Sequence, residues 1–237
     1  MNTVVIDGVS SDSVRLKFDK IPFLPAAKRR TNVYPIPGKG EDMTLETNDY
    51  DDIQLPLTAY LVGGTSIQDV YDWIRGGSRM IVSTQPGVYA VIKAVGEIAP
   101  SRVGWSAHEI DIPLTLSPFK YRVDDYPVQI ESSGDRLRTI GNIYSYPYWV
   151  LEGTTGDVTF TVNGVAVTIT DAPSNIHIDT LLQTVRSFSD GVATNIMDKT
   201  SGNFWELVLV PGEDPQNLIE WSGTVGSVTV TKNERWV

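Results

Sequence analysis

The sequence predicts a mainly β protein built from two consecutive domains. Three observations carry that expectation. Short segments of alternating apolar and polar residues recur along the chain. Only one segment has a clear helical period. An Asn163-Gly164 pair sits between two strands whose apolar residues fall into a common register.

The Asn163-Gly164 turn is the strongest local signal. A two-residue turn of this kind needs φ > 0 at both positions, which Asn and Gly tolerate best. It would pair Val162 with Val165, Phe160 with Val167 and Val158 with Ile169. All six then face one side, with threonines and Ala166 on the other, so the register supports itself. A second pair is expected between Leu218–Trp221 and Ser227–Thr231, with Gly223 and Gly226 between them. Thr180–Ser187 is compatible with a helical turn or a strand. Many short strands at regular spacing imply a β-sandwich for the second half.

In the first half, Val4–Val9 reads as a short strand turning at Asp7-Gly8. Val14, Leu16 and Phe18 alternate with Arg15 and Lys17, the pattern of a half-buried strand. Pro22 and Pro25 break the chain. Ile53–Val62 is a strand ended by Gly63-Gly64. The helix follows: Ser66 is a good N-cap, Asp69 lies near the positive end of the helix dipole, and Ile67, Val70, Tyr71 and Ile74 form one apolar stripe. Gly76-Gly77 stop it. Arg79–Ser83, Tyr89–Val95 and Glu109–Leu116 supply further strands, and Ser117–Arg122 closes this half. A lone short helix among strands must lie against a sheet. The expected first domain is therefore β-sandwich-like, with one short helix and an extended hairpin.

That hairpin occupies Lys28–Leu57. It reads as strand, turn, strand, acidic loop, strand. The basic run Lys28-Arg29-Arg30 leads in, Pro37-Gly38 and Gly40 mark the turn, and Met43-Thr44-Leu45 resumes a strand. Thr47–Asp52 is polar and acidic. Pro35 and Pro37 lack the N–H that a central strand donates, so the segment is an edge strand or a protruding arm. An under-paired edge is a liability for a free monomer, and a neighbouring subunit would cover it. The candidate interface residues are Lys28, Arg29, Arg30, Tyr34, Ile36, Asp49, Tyr50 and Asp51. In a rotational assembly, the basic run of one copy would face the acidic segment of the next.

Asp124–Asp135 has turn and linker chemistry, with Asp124-Asp125, Pro127 and Ser132-Ser133-Gly134-Asp135. It places a boundary near residue 130, giving domains 1–130 and 131–237.

Composition limits the function classes. Hydrophobic residues make up 41% of the 237, enough for a packed core. No apolar run approaches the roughly 18 residues that span a bilayer. The segment MNTVVIDGVS has no basic or apolar region of a signal peptide and does not read as one; a chain without cysteine fits assembly in a cytoplasm. There is no cysteine, which excludes disulfides and thiolate metal sites. Net charge is −10, which disfavours nucleic acid as a partner.

Catalytic signals are weak. His108 and His177 stand apart, without HExxH spacing, and read as structural. No G-x-S-x-G elbow, P-loop or complete G-x-G-x-x-G is present. Asp49, Asp51 and Asp52 lack the spacing and glycine of an EF-hand loop and read as a solvated acidic stretch. Trp149, Trp205, Trp221 and Trp236 could stack on sugars, but core or interface positions explain them better. No catalytic residue, metal site or cofactor is expected.

The basic run, the Ile36-Pro37-Gly38 turn, the Asp49-Tyr50-Asp51-Asp52 segment and the apolar strand after it resemble the distal tail proteins of long, flexible-tailed bacteriophages. The resemblance continues through Trp73-Ile74-Arg75-Gly76, Ser83–Tyr89 (STQPGVY) and Pro118-Phe119-Lys120-Tyr121. In the second half it includes Val162-Asn163-Gly164, Ile176-His177-Ile178-Asp179, Ser201-Gly202-Asn203-Phe204 and Leu218–Gly223, in the family's order. One departure is Trp205–Asn217 (WELVLVPGEDPQN), longer than the family's segment there. The resemblance implies a structural protein of the virion tail tip. Its N-terminal domain would form a ring, usually hexameric, and its C-terminal domain would be a galectin-like β-sandwich. The ring would join the tail tube protein to the tail-associated hub protein and, in some phages, carry receptor-binding proteins. No membrane partner is implied. The rival expectations are a carbohydrate-binding module for host attachment and a glycan-cleaving enzyme, the latter disfavoured by the missing catalytic constellation.

Overall fold

The computed structural model describes residues 2–21, 23–63, 66–104, 107–214 and 216–237. The chain forms two compact units, Met1–Val123 with Val237, and Asp124–Trp236. Pro22 and Gly64, expected as chain breaks, lie outside the described residues.

The first unit starts with a tight hairpin. Strands β1 (Val4–Ile6) and β2 (Val9–Ser10) are joined by Asp7 and Gly8, whose φ angles of 46° and 84° are the left-handed pair such a turn requires. The expected Val14–Phe18 strand shrinks to β3 (Leu16–Lys17). Arg15 has φ 54°, which breaks the extended backbone although Leu16 and Phe18 are still buried.

Next come β4 (Arg29–Tyr34), β5 (Met43–Tyr50), β6 (Ile53–Val62), helix α1 (Ile67–Ile74), β7 (Arg79–Val82), β8 (Val88–Val95), β9 (Ala99–Arg102) and β10 (Ala107–Arg122). The main antiparallel sheet runs β2-β1-β7-β8-β10-β6-β3, with β9 also on β10. Strand β6 shows the period of two cleanly: Ile53, Leu55, Leu57, Ala59 and Leu61 are buried, while Gln54, Pro56 and Thr58 are exposed. It pairs with β10 from Ala107↔Val62 to Leu116↔Ile53.

Strand β10 is longer than expected, continuing past Leu116 to Arg122. Its second half pairs with β8, with register shifts after Thr115 and after Leu116. Such bulges bend and twist a strand, so the sheet curls around its own core. Strand β9 has no counterpart in the sequence expectations. Ala-Pro-Ser-Arg lacks alternation, and its proline is tolerated only at an edge. Helix α1 forms as expected. The Ser66 side chain accepts from Gln68 N at 3.1 Å, Val70 and Ile74 are buried, and Gly76 turns the chain away at φ 80°.

The second unit is a β-sandwich. Its strands are β11 (Val128–Ile130), β12 (Asp135–Leu137), β13 (Tyr148–Glu152), β14 (Thr155–Val162), β15 (Val165–Ala172), β16 (Asn175–Asp179), β17 (Thr184–Ser189), β18 (Val192–Asn195), β19 (Thr200–Gly202), β20 (Asn217–Thr224) and β21 (Ser227–Thr231). One sheet has the order β11-β21-β13-β16-β17-β18, the other β12-β20-β14-β15-β19. Trp149, Phe160, Val162, Ile169, Ile176, Ile178 and Val230 fill the space between them and are fully buried. Trp149 meets Phe160 edge to face at 5.1 Å.

The Asn163-Gly164 hairpin has the expected pairing, Val162↔Val165, Phe160↔Val167 and Val158↔Ile169, with φ of 52° and 84° at the turn. The undecided Thr180–Ser187 segment is a turn followed by β17. The expected pairing of Leu218–Trp221 with Ser227–Thr231 does not occur. Strand β20 pairs with β12 and β14 in one sheet, and β21 with β11 and β13 in the other. Gly223 and Gly226 therefore flank a crossover between layers rather than a hairpin.

The long Trp205–Asn217 segment is mostly irregular and is pinned by Asn217, which is fully buried. Its Oδ1 accepts from Val210 N at 2.7 Å and from Asn163 Nδ2 at 2.9 Å. Its Nδ2 donates to Val210 O at 2.9 Å and to Leu137 O at 3.1 Å.

Candidate assembly interface

Among the described residues, strands β4 and β5 pair only with each other, away from the main sheet. All six residues of β4 are exposed. The eight residues of β5 would extend about 26 Å at ~3.3 Å each. A two-stranded ribbon of this kind is at best marginally stable alone in water. The expected arm is therefore present, with two differences. Pro35 and Pro37 lie beyond the end of β4, in a turn where Lys39 N donates to Ile36 O at 3.1 Å and Gly38 has φ 81°. The expected acidic loop Thr47–Asp52 is mostly strand, since β5 runs to Tyr50 and only Asp51 and Asp52 link it to β6. Backbone pairing with β4 outweighs the polar composition of this stretch.

Several contacts hold the base of the arm. Tyr50 packs edge to face on Phe119 at 5.6 Å. Lys120, next to Phe119, is buried and donates to Pro25 O at 3.2 Å and Leu24 O at 3.4 Å, in the segment that leads into the arm. Burial lowers its pKa below the usual lysine value. Asp51 N donates to Lys28 O at 2.9 Å. Arg29 pairs with Glu46 and Arg30 with Asp51, each at 2.7 Å, and the bond to Asp51 raises the Arg30 pKa. Asp52 pairs with Lys93 at 2.7 Å. The structure thus places the basic run and the acidic segment against each other within one chain. Asp49 is exposed and Ile36 is half-buried near the tip.

The face of the arm is apolar in a way the sequence reading did not single out. Tyr34 lies opposite Met43 and Asn32 opposite Leu45. Opposed residues and those two apart share a face, so Tyr34, Met43 and Leu45 form one patch. They are 51%, 53% and 47% exposed. The signal was available: Met43 and Leu45 alternate on one side of the turn and Tyr34 sits on the other.

The histidines and the tryptophans of the second half lie in separate elements. His108 lies in β10 opposite Leu61 and Arg102. His177 lies in β16, where Tyr148 Oη is 2.7 Å from its Nδ1. Trp149 is core, Trp221 and Trp236 are half-buried, and Trp205 is exposed. Among the described residues, no group of three or more His, Asp or Glu converges to hold a metal.

Two open grooves in the first unit also lack a catalytic set. One, of about 470 Å³, is lined by Tyr71, Ile74, Arg75 and Val95. The other, of about 490 Å³, contains Asp7, Ser78, Arg79 and Tyr89. Asp7 is committed there as a backbone cap: it accepts from Ser78 N and Arg79 N, each at 2.9 Å. The bond from Ser78 N is the main reason its pKa lies below the usual carboxylate value. No helix among the described residues is long and apolar enough to cross a membrane.

No family model matches the sequence, and no curated protein matches it. A solved structure does match in three dimensions. It is the Dit protein of SPP1, described as a paradigm of the hub adsorption apparatus in phages that infect Gram-positive bacteria. The likeness has a TM-score of 0.71 at 11% identity and covers 100% of both chains. From end to end, this chain has the fold of that phage hub protein.

Proposed function

We propose that this protein is a non-enzymatic structural component of a phage tail tip, forming a ring that connects the tail tube to the tail-associated hub and host-adsorption apparatus. The observation that carries this reading is the fold likeness to the SPP1 hub protein over the whole length of both chains. The ordered motifs from Lys28 to Gly223 support it independently of that superposition.

The partners are further copies of the chain, six in a closed ring, the tail tube protein, the hub protein and, where a phage carries them, receptor-binding proteins. The first unit builds the ring, and the second is a galectin-like sandwich. Within the ring we assign the subunit contact to the arm. Arg29, Arg30 and Asp51 are already engaged within the chain, so the contact rests on Tyr34, Met43 and Leu45. Head-to-tail repetition of one such contact is the geometry that closes rings. Host-surface carbohydrate binding by the second unit is the alternative reading.

Negative-stain images of the purified protein, with light scattering for mass, test the proposal. Rings of six copies are expected. A chain ended at Glu131 is expected to keep the ring, because it retains all of the first unit except Val237. A monomer at every accessible concentration would overturn free ring assembly.

A further inference from the structure

We propose that the apolar groove between the end of α1 and the end of β8 is the seat for the arm of a neighbouring copy of the chain. The inference rests on the ring reading and names the surface that the arm of the next subunit enters.

Symmetry requires such a surface. If the Tyr34, Met43 and Leu45 patches of two copies met each other, the contact would be isologous and would close at two subunits. A ring needs a head-to-tail contact, so the patch must meet a different surface on the next copy. That surface has to be apolar, open in the single chain and large enough for three side chains.

The groove meets these conditions. Helix α1 ends at Ile74, and Gly76, at φ 80°, turns the chain towards β7. Strand β8 ends at Val95; Gly96 N donates to Pro113 O at 2.8 Å, and the chain leaves for β9. Tyr71, Ile74, Val95 and Ile98 line the space between these two ends. Ile74 is buried, and Val95 and Ile98 pack half-buried against the core of this unit, which holds the walls in place. The volume is about 470 Å³. A cavity of about 150 Å³ holds one benzene-sized group, so there is room for about three apolar side chains, as many as the arm presents. The chain's own arm does not use the groove, since Tyr34, Met43 and Leu45 are exposed.

Charge singles out this groove. Among the described residues, Arg75 is the one charged residue in its lining. Its exposed guanidinium makes no hydrogen bond or ion pair within the described chain. The arm carries Glu41 and Asp42 immediately before Met43, both exposed. Lys39 offsets one of them, which leaves the tip acidic. A carboxylate beside the apolar patch would therefore meet a guanidinium beside the apolar groove. Exposed ion pairs add little binding energy, so Arg75 orients the arm while the apolar lining holds it.

The other grooves of the first unit fit less well. One, of about 400 Å³, places Asp7, Asp69 and Asp72 beside the same Arg75 and would repel the acidic tip. The groove at Arg79 and Tyr89 contains Asp7 and Ser78, bonded to each other at 3.0 Å. An apolar arm would take those polar groups out of water and offer them no new partner.

Thiol crosslinking tests the contact. The chain has no cysteine, so introduced thiols are the only ones present. The full-length double variant Met43→Cys/Val95→Cys is allowed to assemble, treated with a short bismaleimide and run on a denaturing gel. A ladder of covalent multimers is expected, because each copy links to the next through two different sites. Neither single variant should crosslink, and Met43→Cys/Val9→Cys, with its second thiol in the acidic groove, should form no ladder. Rings in negative stain without the Val95 ladder would overturn this inference and leave the ring reading intact. Covalent dimers from Met43→Cys alone would also overturn it, because they place arm against arm. A wild type that stays monomeric at every concentration would overturn both. If the double variant fails to fold, charge reversal decides instead. Arg75→Glu should raise the concentration needed for assembly about tenfold at low salt, and adding Glu41→Arg and Asp42→Arg should restore it. Absence of either effect would overturn the proposed seat.

Discussion

The apolar face of the arm gives the most direct test of assembly. Tyr34→Ser, Met43→Ser and Leu45→Ser together remove it while leaving Arg29–Glu46, Arg30–Asp51 and Tyr50–Phe119 intact. Fully burying a side chain of this size contributes about 1.5–3 kcal/mol. These three are 51%, 53% and 47% exposed in the single chain, so a neighbour can hide roughly the remaining half of each. That is about 1 kcal/mol per residue and about 3 kcal/mol per contact. At 1.4 kcal/mol per tenfold, each contact weakens by about a hundredfold. Sedimentation velocity over a concentration series reads this directly: the triple variant should need about a hundredfold higher concentration to assemble. Its melting temperature should barely move, since exposed substitutions usually change stability by less than about 0.5 kcal/mol. Assembly of the wild type should survive about 1 M salt, because screening removes exposed charge contacts but not apolar ones. If the variant assembles at the wild-type concentration, the contact is elsewhere, although the ring reading stands.

Three further outcomes concern the second unit. Asn217→Leu strips Val210 N, Leu137 O and Asn163 Nδ2 of a buried partner; at about 1–3 kcal/mol per stranded group, with partial relaxation, the loss in urea unfolding should be roughly 3–5 kcal/mol, and a loss below about 1 kcal/mol would contradict the pinning role. Gly164→Val should cost about 1–2 kcal/mol from its φ of 84° alone, since nothing lies within 4 Å of the added Cβ; an unchanged midpoint would mean the turn relaxes. Asp125 has a buried Oδ1 without a partner, and burial foremost, then the Glu234 charge, raises its pKa above the ordinary 3.8, while the nearby Lys232 opposes the shift. The native state therefore binds this proton more readily than the unfolded chain, so the penalty is present above the raised pKa and disappears as pH falls through it towards 3.8. Asp125→Asn should accordingly raise the melting temperature at pH 7 and lose that advantage near pH 4, and an equal effect at both pH values would refute the cause.

Local chemistry that closes on itself was legible in the sequence. Asn163-Gly164 fixes its turn because only a few residues accept φ > 0, and the register then follows by counting in twos. Ser66 to Gly76 carries its own cap, stripe and stop, and Ile53–Val62 alternates without interruption. The prolines after Lys28 marked the segment as an edge strand or an arm, because it could not belong to a central strand.

What the sequence left open depends on partners distant in the chain. Leu218–Trp221 and Ser227–Thr231 look like a hairpin, yet they enter opposite sheets because each finds longer pairing with strands far away in sequence. Asp49-Tyr50 reads as loop by composition but is held in β5 by pairing with β4 and by Phe119. Arg29 and Arg30 meet Glu46 and Asp51 only once the arm has folded back. The groove beside Arg75 lies between the end of α1 and the end of β8, which only the folded sheet brings together. Alternation determined which side each residue takes; tertiary pairing determined which residues became neighbours, and the candidate sites consist of neighbours.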